Sequence, residues 1–118
     1  MTLREIITTV EGEILSGPGL LDREVKMGCG SDLLSDVLAF IKPGALLLTG
    51  LTNSQVIRTA EMADIQALCF VRGKRPPKAV IALAEEKDIP LLATPLPMFE
   101  ACGRLYRRGL ASSRGHEG

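Results

Sequence analysis

The sequence predicts an α/β fold with three layers, in which helices cover both faces of a mainly parallel sheet. Three segments, "ALLLTG", "ALCFV" and "PLLAT", are apolar throughout instead of alternating, which is typical of strands buried on both faces. Stretches with helical periodicity separate these segments, and strands joined by whole helices usually run parallel. Such helices pack on the two faces of the sheet, and this packing produces the three layers.

The first part of the chain predicts a short helix followed by extended structure. Thr2 can cap a helix, and Glu5 three residues later completes a capping box, with apolar residues at helical spacing up to about Gly12. Residues 13–27 alternate loosely around Gly17-Pro18. This pattern predicts two short extended segments joined by a turn.

The remaining helices are expected at 31–41, 54–62, 76–87 and 97–108. Prolines at the start of the last two suit a first helical turn, where a missing N–H has no cost. Ser31 and the segment "TNS" at residues 52–54 supply N-capping side chains. Helical spacing assigns a further group of apolar side chains to the core, namely Met62, Leu83, Met98, Phe99 and Leu105.

Length and composition indicate one domain in a cytoplasmic protein. The chain has 118 residues, of which 46% are hydrophobic, and we expect a single domain over residues 1–110. The segment 111–118 lacks an apolar anchor and is expected to be a disordered tail, which makes His116 a poor candidate for catalysis or metal binding. No apolar run approaches the roughly 20 residues that cross a membrane, and no signal-peptide pattern opens the chain.

Charge and aromatic content argue against nucleic acid and membrane surfaces as partners. Fourteen Lys plus Arg balance fourteen Asp plus Glu, and aromatic residues are only 3% of the chain. The cysteines at positions 29, 69 and 102 are odd in number and lack CxxC spacing, so we expect reduced thiols and no metal. No cofactor is expected either.

Four segments are expected to meet at the carboxyl edge of the sheet, because strand-to-helix loops gather there. They are 28–31, 49–54, 72–75 and 94–97, and they combine small residues, hydroxyls, an amide and three cations. Such groups suit an anion or nucleotide pocket. The predicted ligand-binding residues are Gly28, Gly30, Ser31, Thr49, Gly50, Thr52, Asn53, Arg72, Gly73, Lys74 and Thr94.

Each segment also has a purely structural interpretation. The two glycines of "GCGS" can simply turn the chain, since the P-loop spacing GxxxxGK[ST] is absent. "TNS" is expected to cap the following helix whether or not a ligand binds. "RGKR" can be a solvated basic loop, and Thr94-Pro95 can simply end a strand and begin a turn.

No catalytic residue is predicted. Asp32 and Asp36 are four residues apart on one predicted helix face, but an acidic residue in a first turn is what the helix dipole favours. Cys29, if exposed in a loop at a helix N-terminus, would have a lowered thiol pKa, yet no histidine is available to pair with it. Cys69 and Cys102 are expected to be buried.

From about Gly28 to Leu110 the chain resembles a DRTGG domain. The stretches "SDVLAFIKPGALLLTG", "VIRTAEMADIQALCFVRGKRPPKAVIALAEEKDIPLLATP" and "MFEACGRLY" carry the resemblance. Such domains occur in HPr kinase/phosphorylases, phosphotransacetylases and CBS-containing pyrophosphatases. The resemblance implies a three-layer α/β fold, a tendency to form homodimers, and a regulatory or ligand-sensing role.

The chain departs from the motif that names this family. The aspartate-arginine pair falls on Thr52-Asn53, and of the threonine-glycine-glycine only Gly73 is retained, so binding roles of the missing residues do not transfer. The pattern "TGLTNSQ…VRGK.PP" resembles small stand-alone members of the family that are often called HPr serine kinases. The kinase activity of HPr kinases belongs to a separate P-loop domain, and no P-loop motif occurs in this sequence.

Three functional hypotheses follow from the sequence. The first is a homodimeric regulatory domain that binds a nucleotide or another anionic metabolite. The second is a protein–protein interaction module without a small-molecule ligand. An enzyme acting on a phosphorylated small molecule ranks last, because no complete catalytic set can be assembled from the loops.

Overall fold

A computed structural model describes residues 1–113 and contains a six-stranded sheet in the order β1-β5-β4-β3-β2-β6. Strands β2 to β6 are parallel to one another, and β1 pairs with β5 in the antiparallel direction. The three apolar segments form the central strands, as predicted. The strands are β1 (Glu13–Ser16), β2 (Met27–Gly30), β3 (Ala45–Thr49), β4 (Ala67–Phe70), β5 (Leu91–Ala93) and β6 (Ala111–Ser112).

Five α-helices cover the two faces of this sheet, which confirms the predicted three-layer α/β/α fold. One apolar core lies between the sheet and helices α1 and α5, and the other lies between the sheet and helices α2, α3 and α4. Alternate residues of β3 and β4 contribute to the two cores, so both faces of these strands are buried. The helices are α1 (Leu3–Thr9), α2 (Leu34–Phe40), α3 (Ser54–Met62), α4 (Lys78–Glu86) and α5 (Met98–Arg107).

The predicted caps are confirmed where the capping signal is local. Thr2 and Glu5 form the reciprocal capping box of α1. The Asn53 side chain accepts a hydrogen bond from the Val56 amide at 3.3 Å and is the N-cap of α3. Pro77 and Pro97 occupy the N-cap positions of α4 and α5, one place earlier than predicted.

The segment around "GCGS" differs from the prediction. Residues 28–30 belong to β2 and do not turn the chain, and α2 begins only at Leu34. Ser31 is therefore not the N-cap; its hydroxyl accepts from the amide of Leu33 in the connecting turn. Asp32 lies in the same turn, so it shares no helix face with Asp36.

The glycines of β2 allow α5 to pack closely on the sheet. A Cβ atom added to Gly30 would lie 2.8 Å from Cys102 Sγ, and one added to Gly28 would lie 3.0 Å from Leu110 Cδ2. A larger residue at Gly30 would therefore force α5 to shift, and one at Gly28 would require the Leu110 side chain to move. The glycines thus serve helix packing.

Two further predictions need correction. Met62 and Phe99 were assigned to the core, but they are 70% and 91% exposed, whereas Leu105 is buried as predicted. The tail predicted to be disordered begins with an ordered pair, since Ala111 and Ser112 form β6 beside β2. The rest of the predicted tail, including His116, lies outside the described residues except for Ser113.

Candidate functional site

A carboxylate belonging to the chain itself is bound at the carboxyl edge of the sheet. Oδ1 of Asp32 accepts hydrogen bonds from the Thr49 hydroxyl at 2.8 Å and from the Gly50 amide at 2.7 Å. Lys74 Nζ is close by, 3.8 Å from the point where a Cβ atom of Gly50 would lie. Two of the four predicted loop segments, 49–54 and 72–75, therefore meet around the carboxylate of Asp32, the residue that directly follows the segment 28–31.

These donors stabilise the ionised form of Asp32. The Gly50 amide, the Thr49 hydroxyl and the positive charge of Lys74, in that order, hold the pKa of the exposed Asp32 carboxyl below its ordinary value. Asp32 is therefore ionised at neutral pH. We call Asp32, Thr49, Gly50 and Lys74 the edge cluster.

The loop after β4 has backbone amides that are already used within the protein. Arg72 and Gly73 both adopt positive φ angles, 60° and 69°. Their amides donate to the carbonyls of Leu96 and Thr94 at 2.9 and 2.8 Å. This loop consequently holds the β5–α5 connection in place, and only the exposed side chains of Arg72 and Lys74 are free to face a ligand.

Thr94 is placed beneath the surface. Its side chain is buried, with its hydroxyl donating to the Val10 carbonyl at 2.6 Å and accepting from the Leu96 amide at 3.1 Å. The structure thus gives Thr94 a role in joining the end of α1 to the loop after β5. Thr52 and Asn53 lie in the loop before α3, where the Asn53 amide oxygen is occupied as a cap.

A second concave surface, which sequence reasoning missed, lies between α5 and the strands β2 and β6. This groove has a volume of about 500 Å³ and a mainly apolar lining. Its α5 wall includes two aromatic side chains that are largely exposed, Phe99 at 91% and Tyr106 at 71%. We call it the α5 groove; it includes Gly28, Gly30, Phe99, Cys102, Gly103, Tyr106 and Ser112.

The signal for this groove is present in the helical spacing of α5. Ala101 and Leu105 point into the core and are buried. Phe99 and Tyr106 are seven residues apart and lie on a different side of the helix. Assigning every apolar residue of an amphipathic helix to one face therefore concealed a second apolar stripe.

The cysteines do not form a reactive centre. Cys29 is half-buried in β2 and is not in a loop at a helix N-terminus, so the condition for a lowered thiol pKa is not met, and burial raises the pKa of its thiol instead. Burial raises the pKa of Cys69 to about 12, and it also raises the pKa of Cys102. Cys69 is fully buried as predicted, whereas Cys102 remains partly accessible.

Residues 1–113 contain no group of three or more His, Cys, Asp or Glu side chains arranged to hold a metal ion. No helix among the described residues is long and apolar enough to cross a membrane. His116 lies outside the part of the chain that these statements cover.

Comparison with known proteins assigns the family. A sequence profile described as the DRTGG domain matches residues 5–107, which is most of the chain. The chain belongs to the DRTGG domain family. The match begins at residue 5, before the stretch from Gly28 to Leu110 that carries the sequence resemblance, so the DRTGG domain also includes most of α1 and all of β1.

A solved structure similar to this DRTGG domain is the crystal structure of the CBS and DRTGG domains of the regulatory region of Clostridium perfringens pyrophosphatase, complexed with the activator diadenosine tetraphosphate. The TM-score is 0.66 and the sequence identity is 18%, over 97% of this chain and 47% of that chain. The DRTGG domain described here thus spans about half the length of that chain. No curated protein sequence matches the DRTGG domain described here significantly.

Proposed function

We propose that this DRTGG domain is a non-catalytic regulatory domain of the cytoplasm, homodimeric, that senses a nucleotide or another small anionic metabolite at the edge cluster. The observation that carries the proposal is the Asp32 carboxylate held by the Thr49 hydroxyl and the Gly50 amide, with the Lys74 ammonium group nearby. A phosphate oxygen accepts the same hydrogen bonds as a carboxylate oxygen, and a nearby ammonium group favours either. The similar pyrophosphatase regulatory region, which was solved with a dinucleotide activator, supports a nucleotide as the ligand.

Exchange of one anion for another would give the domain a means of responding to the ligand. Asp32 is exposed and lies in the turn between β2 and α2, so an incoming phosphate can take its place without disturbing the core. Release of Asp32 would leave the turn held by fewer contacts, chiefly the bond from the Ser31 amide to the Leu48 carbonyl at 3.0 Å. Ligand binding at β3 would in this way be transmitted to α2.

Calorimetric titration with ATP, GTP and diadenosine tetraphosphate tests this exchange directly. In an Asp32→Ala variant the donors of Thr49 and Gly50 are free, and we expect nucleotide affinity to rise by roughly threefold to tenfold. Lys74→Ala is expected to lower it, and Lys26→Ala, an exposed lysine directly before β2 at the opposite edge of the sheet, is the matched control. The absence of heat with every nucleotide at about 1 mM, in both wild type and Asp32→Ala, would overturn the proposal.

A double variant, Arg72→Ala with Lys74→Ala, separates binding from folding. Both side chains are exposed, so their loss should change the free energy of unfolding by only about 0–1 kcal/mol while weakening anion binding. A collapse of the melting temperature would instead show that these residues are structural.

The exposed apolar α5 groove favours a second candidate, a protein–protein interaction module whose loops hold no ligand. Affinity purification from the source cytosol, combined with the calorimetric titration, discriminates the two. A stable heteromeric partner without any response to nucleotides would favour the interaction module.

A further inference from the structure

The helical layer that contains α5 has fewer helices than the layer on the other face. Two helices, α1 and α5, pack on this face of the sheet, against three on the opposite face. The α5 groove lies over β2 and β6, beside α5. Gly28 and Gly30 line its floor, where the space left by their missing side chains is filled by Leu110 and Cys102. The mainly apolar space of about 500 Å³ beside α5 is open to another element.

Gly103 has no structural reason within the described chain to be glycine. It lies inside α5, where glycine destabilises a helix relative to alanine. A Cβ atom added there would meet no atom within 4 Å. On one side of Gly103 the exposed surface of α5 is apolar, with Phe99 and Tyr106, and on the other it is charged, with Glu100 and Arg107. A missing side chain between two such flanks suits close contact with a second helix.

We propose that the α5 groove binds α5 of a second copy of this chain, with the two helices antiparallel and related by a two-fold axis beside Gly103. This inference rests on the homodimer named under the proposed function and identifies its contact surface.

The order of residues along α5 makes it complementary to itself in this arrangement. Tyr106 is three residues after Gly103 and Phe99 is four residues before it. In an antiparallel pair, Tyr106 of each helix therefore lies opposite Phe99 of the other helix. Glu100 is three residues before Gly103 and Arg107 is four after it, so each carboxylate lies opposite a guanidinium. A two-fold axis perpendicular to the helix pair keeps the apolar flanks together and the charged flanks together, and every contact occurs twice.

Arg107 is available for such a pair, because it forms no ion pair with any other residue of the described range 1–113. Glu100 binds Arg104 of its own helix through Oε2 at 2.7 Å, which leaves Oε1 for a second cation. Binding of a different protein would not require the apolar and charged flanks of α5 to be complementary to the same flanks of an antiparallel α5. The self-complementarity therefore favours a second copy as the occupant.

Charge reversal tests the antiparallel register. In sedimentation velocity experiments on the full chain, Glu100→Arg and Arg107→Glu should each raise the dimer dissociation constant at least about tenfold, because like charges then face each other twice. An equimolar mixture of the two variants should restore a heterodimer with an affinity within about threefold of wild type, since opposite charges meet again. Glu86→Arg and Lys78→Glu, on α4 across the sheet, are the matched controls and should have no effect.

Gly103→Leu provides a second variant that keeps the fold intact. The new side chain enters open space in the isolated chain, so the unfolding midpoint measured at nanomolar concentration should not fall. The dimer dissociation constant should nevertheless rise at least about tenfold, because the leucine separates the two helices.

The outcomes distinguish this inference from the proposed function. A wild-type chain that stays monomeric up to about 1 mM overturns both the interface and the homodimer, while nucleotide binding is judged by calorimetry alone. A dimer that is insensitive to these α5 variants overturns only the interface. A dimer weakened by Gly103→Leu but not restored by mixing the charge variants overturns the antiparallel register. Capture of a different protein by a monomeric chain also contradicts the inference.

Discussion

Replacing Thr94 by valine removes one hydroxyl that serves two buried backbone groups. This hydroxyl donates to the Val10 carbonyl at 2.6 Å and accepts from the Leu96 amide at 3.1 Å, and the side chain is 1% exposed. Valine has nearly the same shape, so packing is preserved while both backbone groups lose their partner. Because each of the two unpaired buried polar groups costs about 1–3 kcal/mol, we expect the free energy of unfolding to fall by about 2–6 kcal/mol.

Thr59→Val is a matched control with the opposite expectation. Thr59 is also fully buried, but its hydroxyl has no hydrogen-bond partner among residues 1–113. Valine there removes a polar group that is desolvated without compensation, so stability should be unchanged or should rise by up to about 1 kcal/mol. The same chemical change is thus expected to act in opposite directions at two buried sites.

Urea denaturation followed by circular dichroism, at one fixed protein concentration, measures both changes. Thr94→Ser retains the hydroxyl and should lose only about 1 kcal/mol for the missing methyl group. The reasoning is refuted if Thr94→Val remains within about 0.5 kcal/mol of wild type, or if Thr59→Val is destabilised as much as Thr94→Val.

Three further results are expected from the structure. Gly30→Ala should lower the free energy of unfolding by about 1–3 kcal/mol, because its Cβ would lie 2.8 Å from Cys102 Sγ; an unchanged urea midpoint would contradict the close packing of α5 on β2. The lowered pKa of Asp32 means that its contribution to stability is present above the unfolded pKa of about 3.9 and is lost as the pH falls through the folded pKa. The stability difference between wild type and Asp32→Asn should therefore shrink on acidification, and a difference that is constant from pH 6 to about pH 2 would show that the carboxylate is not stabilised by its neighbours. In thiol labelling with Ellman's reagent at pH 8, Cys69 should react only at the rate of unfolding, whereas rapid labelling of all three thiols in the native protein would contradict its burial.

Local signals were sufficient for most of the fold. The apolar segments around Leu47, Leu68 and Leu92 predicted central strands because continuous apolar runs indicate burial on two faces. The Thr2 and Asn53 caps were predicted because a capping side chain binds an amide within three residues. The glycines of β2 were misread because a short strand with almost no side chains carries no alternating pattern.

The candidate site was predictable only in outline. The meeting of the loops at one edge follows from parallel strands, so Thr49, Gly50 and Lys74 were correctly expected to lie together. That Asp32 would occupy their donors was not predicted, because the sequence placed it inside a helix. Thr94 was named for a ligand, and only its burial beneath Val10 shows that its hydroxyl is used inside the protein.

The sequence by itself determined the helices, the three central strands β3, β4 and β5, their parallel arrangement and the edge at which their loops gather. Periodicity and capping act between residues at most about four positions apart, so these features can be read along the chain. The tertiary structure alone decided that Phe99 is exposed, that Gly30 receives α5, and that Asp32 binds Gly50 eighteen residues away. These contacts join separate elements, and their distances depend on how whole helices pack against the sheet rather than on any local spacing.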